Sequence, residues 1–294
     1  MSEAAGGIQG TAVTGVLHPG DMGSTVAAAC SGTVLWAGEG RSVKTRRRAE
    51  DAELTDAGDL TSLGAAADMV ISVCPPHGAE ALARSVAGAG FEGCYVDANA
   101  VSPATARRIA ERFDDFVDGS LIGPPAREPG TTRLYLSGPS ANRVAARFEG
   151  SALDARVLAG GEPGAASALK MAYASWTKGT SALLMAVAAL AAAEGVSDEL
   201  TAEWALSQSS LSQRLAYTSI AVAPKAWRWV GEMDEIADTF AAAGLPDGFH
   251  RAASEVYERL EAFKNARSAS VSEMLEALLS PAAAVENASP DNAG

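Results

Sequence analysis

Two glycines three residues apart follow directly on a short apolar run in Thr14-Gly15-Val16-Leu17-His18-Pro19-Gly20-Asp21-Met22-Gly23-Ser24. A diphosphate needs outward-pointing backbone amides at the first turn of a helix, and only residues without a Cβ allow so close an approach. If the apolar run is a strand and the residues after it a helix, Gly20 and Gly23 meet that need. With His18, Pro19, Asp21 and Met22 they form a candidate dinucleotide-binding loop. The pattern departs from G-x-G-x-x-G because His18 holds the place of the first glycine, so a plain strand-to-helix turn is the alternative.

A second apolar run ends at Trp36-Ala37, where NAD-preferring domains present an acid to the ribose hydroxyls. Ala37 cannot serve. The loop that follows, Gly38-Glu39-Gly40-Arg41-Ser42-Val43-Lys44, offers Arg41 and Ser42 to a 2′-phosphate, with Lys44 and Arg46 nearby. This favours NADP(H) over NAD(H). The competing possibility is that Arg46-Arg47-Arg48 is a solvated helix face and Glu39 binds a ribose.

The elements that must position these residues follow from the apolar pattern. β-prone runs at Ala12 to Leu17, Thr33 to Trp36, Asp68 to Val73, Cys94 to Asp97, Phe116 to Leu121 and Arg133 to Leu136 alternate with helix-prone stretches. Gly23 to Cys30, Gly78 to Val86 and Pro103 to Phe113 have the length and content of crossover helices. This rhythm predicts an α/β Rossmann domain over residues 11–160, with a doubly wound, mainly parallel sheet. After Gly160-Gly161 the strand pattern stops. One long helix is predicted over 162–194, with Pro163 in its first turn and Gly195 at its exit. An all-α domain over 161–280 completes the chain, punctuated by Pro224 and Gly244-Leu245-Pro246-Asp247-Gly248. Residues 1–10 and 281–294 read as disordered tails.

Composition excludes several function classes. The 294 residues suffice for two domains, and a hydrophobic share of 48% suits helices packed on a sheet. A formal charge of −13 opposes binding to nucleic acid or an anionic membrane. The longest apolar run, Ala182 to Ala193, is shorter than the roughly 20 residues that cross a bilayer, and a cytoplasmic protein is expected. Cys30, Cys74 and Cys94 lack any metal or disulfide spacing, so they read as reduced, buried residues and no metal site is expected.

Four motifs in order carry a family resemblance: His18-Pro19-Gly20-Asp21-Met22-Gly23, Val73-Cys74-Pro75-Pro76, Val96 to Pro103, and Asp118-Gly119-Ser120-Leu121-Ile122-Gly123-Pro124-Pro125. The chain resembles the β-hydroxyacid dehydrogenase and 6-phosphogluconate dehydrogenase superfamily over most of its length. Its helical half, through Leu169 to Gly179 and Arg228 to Met233, resembles the subgroup with a C-terminal domain of unknown function, described as NAD(P)-dependent oxidoreductases.

The resemblance implies roles by position. Gly20, Met22 and Gly23 match the pyrophosphate loop, Arg41 and Ser42 the ribose-phosphate loop, and Cys74-Pro75 the strand end bordering the nicotinamide ribose. Asn99 stands near the nicotinamide, where the superfamily often has serine. Gly123-Pro124 falls on the glycine pair lining the substrate; Ile122 replaces its polar neighbour, and Ser120 is a possible substitute. Lys170 matches the catalytic lysine, which exchanges a proton with the substrate oxygen as hydride leaves or arrives. Without that match it would read as an exposed helix lysine. The companion asparagine is absent, since that position is Ala174.

Tyr173 and Thr177 follow Lys170 on the same helical face and could rebuild a polar cluster, with Tyr173 supplying or relaying the proton. His250 reads either as a satisfied structural histidine or as a substrate contact. Arg127 and Arg133 are candidate carboxylate partners or solvated loop cations, and Trp227 and Trp229 core or dimer-contact aromatics. The expected protein is a homodimeric NADP(H)-dependent oxidoreductase acting on a small carbonyl or hydroxy substrate between its domains. An imine reductase-like enzyme using Tyr173 or another donor, and a non-catalytic dinucleotide-binding protein, are the alternatives.

Overall fold

A computed structural model describes residues 12–264 and 266–280, so both expected tails lie outside the described residues. The strands are β1 (Val13–Leu17), β2 (Thr33–Trp36), β3 (Thr55–Asp56), β4 (Met69–Ser72), β5 (Cys94–Asp97), β6 (Phe116–Ile122), β7 (Thr132–Ser137) and β8 (Leu153–Val157). They form one sheet in the order β3-β2-β1-β4-β5-β6-β7-β8. All neighbours run parallel except β6 and β7. Val16, Ile71, Val96 and Val117 enter one core cluster, while Leu17, Val70, Tyr95 and Phe116 enter another. Successive side chains point to opposite faces, so a parallel sheet covered on both sides needs continuous apolar runs. That is why β4, β5 and β6 are buried throughout.

The crossover helices are α1 (Asp21–Ala29), α2 (Val43–Asp51), α3 (Leu60–Ala66), α4 (Ala79–Gly88), α5 (Pro103–Ala110) and α6 (Ala141–Ala146). Then come α7 (Ala165–Ala193), α8 (Ser197–Ser207), α9 (Leu211–Ala221), α10 (Val230–Ala242), α11 (Gly248–Glu258) and α12 (Val271–Leu279). The mainly parallel α/β half and the helical half are therefore as predicted.

Several details differ. β3 is two exposed residues held by two ladder pairs, too short to leave an alternation, and β8 carries Asp154 and Arg156 in its apolar run. Pairing with β2 and β7 makes these segments strands. α7 starts at Ala165, so Pro163 precedes the helix rather than lying in its first turn. Cys74 is half-buried, not buried like Cys30 and Cys94, because it lies past the end of β4 where the sheet's cover opens; all three thiols are free.

Chain contacts divide the molecule into two compact units, one of residues up to Ala174 with Asp238–Leu245, the other of Ser175–Ala237 and the residues from Pro246 onward. In the second unit Leu184, Ala188 and Trp204 form a core with Leu200, Leu211, Leu215 and Leu275 around it. Lys178 pairs with Glu232, the Tyr257 hydroxyl donates to the Lys178 carbonyl at 2.7 Å, and the Trp229 ring meets Tyr257 edge-on at 5.3 Å. α7 is 29 residues long with a mean hydropathy of 1.3 in its most apolar window, enough by those measures to cross a membrane. Counting only the uninterrupted run from Ala182 misses this. Its first turns, however, are bonded to the sheet through buried polar groups, as a domain helix requires.

Candidate functional site

The residues after β1, β2, β4, β5 and β6 all leave the carboxyl edge of the parallel sheet. Chain order reverses between β1 and β4, which opens a crevice at that edge and makes it the ligand-binding edge of such sheets. His18 makes the turn out of β1 with a φ of 59°, a conformation glycine normally supplies. The Gly20 amide then donates to the His18 carbonyl at 2.6 Å. Gly20 is the N-cap of α1 and contributes no side-chain cap, leaving the helix's first amides to an anion. A Cβ on Gly23 would overlap the His18 carbonyl oxygen, so glycine is required for α1 to start this close to the strand. Pro19 is buried, and Met22 packs against the core. Asp21 is paired with Arg127 at 2.8 Å, and the Ala126 amide donates to the Thr25 hydroxyl, so the loop after β6 lies on α1. Arg127 is thus an ion-pair partner, and Arg133 bonds the Gly130 and Thr131 carbonyls.

Arg41 is half-buried close enough to His18 to act on its charge. Burial, and then the Arg41 guanidinium, pull the His18 imidazole down to about 4, so it is neutral at pH 7, and its Nδ1 has no hydrogen-bond partner among the described residues. Ser42 caps α2, its hydroxyl accepting from the Thr45 amide at 3.3 Å. Arg46 is held by Asp56 at 3.4 Å and lies over the Trp36 ring. Asp56 also accepts the Gly38 amide at 3.0 Å, which ties the end of β2 to β3.

Asn99 connects the ends of β4 and β5. Its Oδ1 accepts the Cys74 amide at 2.6 Å, and its Nδ2 donates to Ser72 Oγ and Asp97 Oδ2, each at 3.0 Å. Asn99 acts directly on the Cys74-Pro75 segment named by the sequence. Burial, then the Asp97 charge, push the Cys74 thiol up to about 12, so it is a neutral wall group. Pro75 is exposed beside it.

Ser120 is fully buried opposite Tyr135 in the ladder, and its hydroxyl has no partner among the described residues. Gly123 has a φ of 135°, and a Cβ there would overlap the Thr131 carbonyl oxygen. The Pro124 carbonyl accepts the Thr132 hydroxyl. Lys170 is half-buried and its Nζ donates to the Leu121 carbonyl at 2.7 Å, at the same carboxyl edge of β6. Tyr173, one turn on, is 48% exposed.

These sixteen positions from His18 to Tyr173 belong to the first unit, whereas Thr177 and His250 belong to the second. His250 is 8% exposed and packs against Gly179, with its imidazole lowered by burial. The supporting polar residues Asp56, Ser72, Asp97 and Asp118 were not singled out from the sequence. Asp56, Ser72 and Asp118 act on partners distant in the chain, so no local spacing marks them, while Asp97 bonds Asn99 two residues on, a spacing too common to stand out. Among the described residues no group of three His, Cys, Asp or Glu could hold a metal.

Comparison with solved structures decides the fold. A conserved protein of unknown function, described as structurally similar to 3-hydroxyacid dehydrogenases, matches with 26% identity over 85% of this chain and 98% of its own, at a TM-score of 0.63. This is the 3-hydroxyacid dehydrogenase fold. Mycobacterium tuberculosis 3-hydroxyisobutyrate dehydrogenase in a structure with L-serine shares it at 16% identity, over 92% of this chain and 100% of that one, with a TM-score of 0.64. A reductive aminase from Aspergillus terreus shares it at 17% identity, over 90% and 98% of the two chains, with a TM-score of 0.52. Residues 191–260 match the family described as Domain of unknown function (DUF1932), in keeping with the subgroup resemblance. An uncharacterized 28.5 kDa protein of Methanothermus fervidus is 34% identical over 164 residues, covering 55% of this chain and 63% of that relative. The match spans less than two thirds of that relative's length.

Proposed function

We propose that this chain is an NADP(H)-dependent oxidoreductase acting on a small carbonyl or hydroxy substrate, with Lys170 as proton donor or acceptor. The carrying observation is the meeting of the Gly20–Gly23 turn, Arg41, Cys74-Pro75 and Lys170 along one carboxyl edge of a sheet whose order reverses between β1 and β4. The residues fit a dinucleotide: the Gly23 contact admits no Cβ, and Gly20 adds no cap over the first amides of α1. Those amides would hold the pyrophosphate. Arg41 and Ser42 would hold a 2′-phosphate, because Arg46 is already engaged by Asp56. Cys74 and Pro75, set by Asn99, would wall the nicotinamide ribose.

The nicotinamide supplies or accepts the hydride. Lys170 then has one task, to give a proton to the oxygen that gains charge or to take it in the reverse direction. Its bond to the Leu121 carbonyl holds the ammonium at β6, two residues before Gly123-Pro124, where the substrate would lie. The retained lysine favours carbonyl over imine chemistry. A homodimer is supported by Trp176, Leu183 and Leu190, which recur every seven residues on α7 and are 71%, 60% and 62% exposed.

The test is fluorescence titration with NADPH and with NADH, on wild type and Arg41→Ala. Tighter NADPH binding that weakens at least tenfold in the variant supports the proposal. Binding of neither nucleotide sinks it. Turnover is then sought as NADPH oxidation with ketones, aldehydes and cyclic imines; Lys170→Ala should abolish turnover and keep binding, and unchanged turnover would remove Lys170 from the chemistry.

A further inference from the structure

The first amides of any α-helix lack intrahelical partners and need acceptors from elsewhere. A side chain at the N-cap usually accepts from the third helical residue, but α7 has Gly164 there, with a φ of 100° and no side chain to offer. The sheet supplies the acceptors. Asp118 of β6, fully buried, takes the Gly164 amide and the Ser167 amide on Oδ2, each at 2.9 Å, and the Ser167 hydroxyl on Oδ1 at 2.6 Å. Ser137 of β7 accepts the Ala166 amide at 3.1 Å and so has its own proton to donate to Asp118 Oδ2, at 3.2 Å. The result is a capping box whose cap residue comes from a strand rather than from the preceding loop.

The same strand touches the same helix again three residues later. Lys170, three residues after Ser167, donates to the carbonyl of Leu121, three residues after Asp118. Two contacts between one strand and one helix leave α7 unable to slide or rotate without breaking buried bonds. We propose that Asp118 is a positioning residue, which sets the start of α7 on β6 and thereby fixes Lys170 Nζ at the carboxyl edge of the sheet. The inference rests on Lys170 being the proton-transfer group. It gives a functional reason for a buried carboxylate that accepts from Ser137, Gly164 and Ser167.

The experiment reads Lys170 directly and needs no substrate. Purified wild type, Asp118→Asn and Ser167→Ala are labelled with a trace of acetic anhydride across pH 7 to 11, and the acetylation rates of Lys170 and Lys178 are measured by mass spectrometry. Lys178 lies about two turns further along α7 and is paired with Glu232, so it reports general loosening of the helix. In Asp118→Asn the oxygen keeps the Gly164 and Ser167 amides and Nδ2 turns to the Ser167 hydroxyl, so the charge-assisted bonds at the helix start become weaker neutral ones. Lys170 should then react about tenfold faster relative to Lys178, the scale of one buried hydrogen bond. Ser167→Ala, which removes only the Oδ1 bond, should give a smaller rise in the same ratio. If Asp118→Asn fails to fold, Ser167→Ala carries the test. A Lys170 to Lys178 ratio within twofold of wild type in every folded variant, or equal rises at both lysines, overturns the proposal. NADPH titration of the same samples keeps the two readings apart: no binding by wild type would refute the nucleotide assignment and leave the labelling ratio as a valid test of Asp118.

Discussion

Replacing Asn99 with alanine removes three side-chain hydrogen bonds at once, to the Cys74 amide, Ser72 Oγ and Asp97 Oδ2. Asn99 is 3% exposed, and Ser72 and Asp97 are fully buried, so water does not readily take its place. The Ser72 hydroxyl can rotate to another acceptor, whereas the Cys74 amide loses an acceptor and the Asp97 carboxylate a donor. The Cys74 amide left without an acceptor costs about 1–3 kcal/mol, and the one bond lost by Asp97, whose Oδ1 keeps the backbone amide of residue 99, costs about 1.5–3 kcal/mol, about 4 kcal/mol together. For a chain of this size each kcal/mol lowers Tm by about 2–4 °C, so the expected fall is about 8 °C or more. NADPH affinity should weaken with it, because the Cys74-Pro75 segment is no longer tied to β5. The assay is differential scanning calorimetry paired with nucleotide titration. Asn99→Asp sharpens the result: a second carboxylate beside Asp97 repels it, so that variant should be less stable at pH 8 than at pH 5. A Tm within about 2 °C of wild type for Asn99→Ala would show that these bonds do not hold the two strand ends, since a single partnerless buried group should cost more.

Gly23→Ala places a methyl group against the His18 carbonyl oxygen, a backbone atom that cannot swing aside, so it should lower Tm and weaken NADPH binding more than tenfold by titration. Gly231→Ala in α10 meets nothing within 4 Å and should instead gain about 0.5–1 kcal/mol from reduced chain entropy, read as a small rise in Tm. Burial holds the His18 imidazole at about 4, below the ordinary 6.5, so the unfolded chain takes up its proton first as pH falls. Its contribution is complete above pH 6.5 and is lost between there and pH 4. His18→Asn, which tolerates the left-handed turn, should flatten the Tm-against-pH curve in that window; an unchanged slope would refute the assignment.

What the sequence determined by itself was whatever depends on neighbours in the chain. The apolar runs at Val16-Leu17, Val70-Ile71 and Val117 marked strands because each must cover both faces of a parallel sheet. Gly20 and Gly23 marked the strand-to-helix turn because that turn lies within a few residues of chain, and at Gly23 a Cβ would overlap the His18 carbonyl oxygen. Lys170 was legible only through the resemblance, since an unremarkable helix lysine carries no local signal.

The tertiary structure decided which polar groups are committed. It engaged Arg46 with Asp56 and Trp36, which leaves Arg41 as the guanidinium beside His18. It engaged Asn99 as a tie between the ends of β4 and β5, and it packed His250 against Gly179. It also gave α7 its cap from Asp118, 49 residues before Ser167, in place of the Pro163 start that the local pattern suggested. The physical reason is the same in each case. A hydrogen bond or ion pair is satisfied by whatever lies within about 3 Å after folding, and the sheet brings together strand ends and helix starts whose separation in the chain bears no relation to their separation in space.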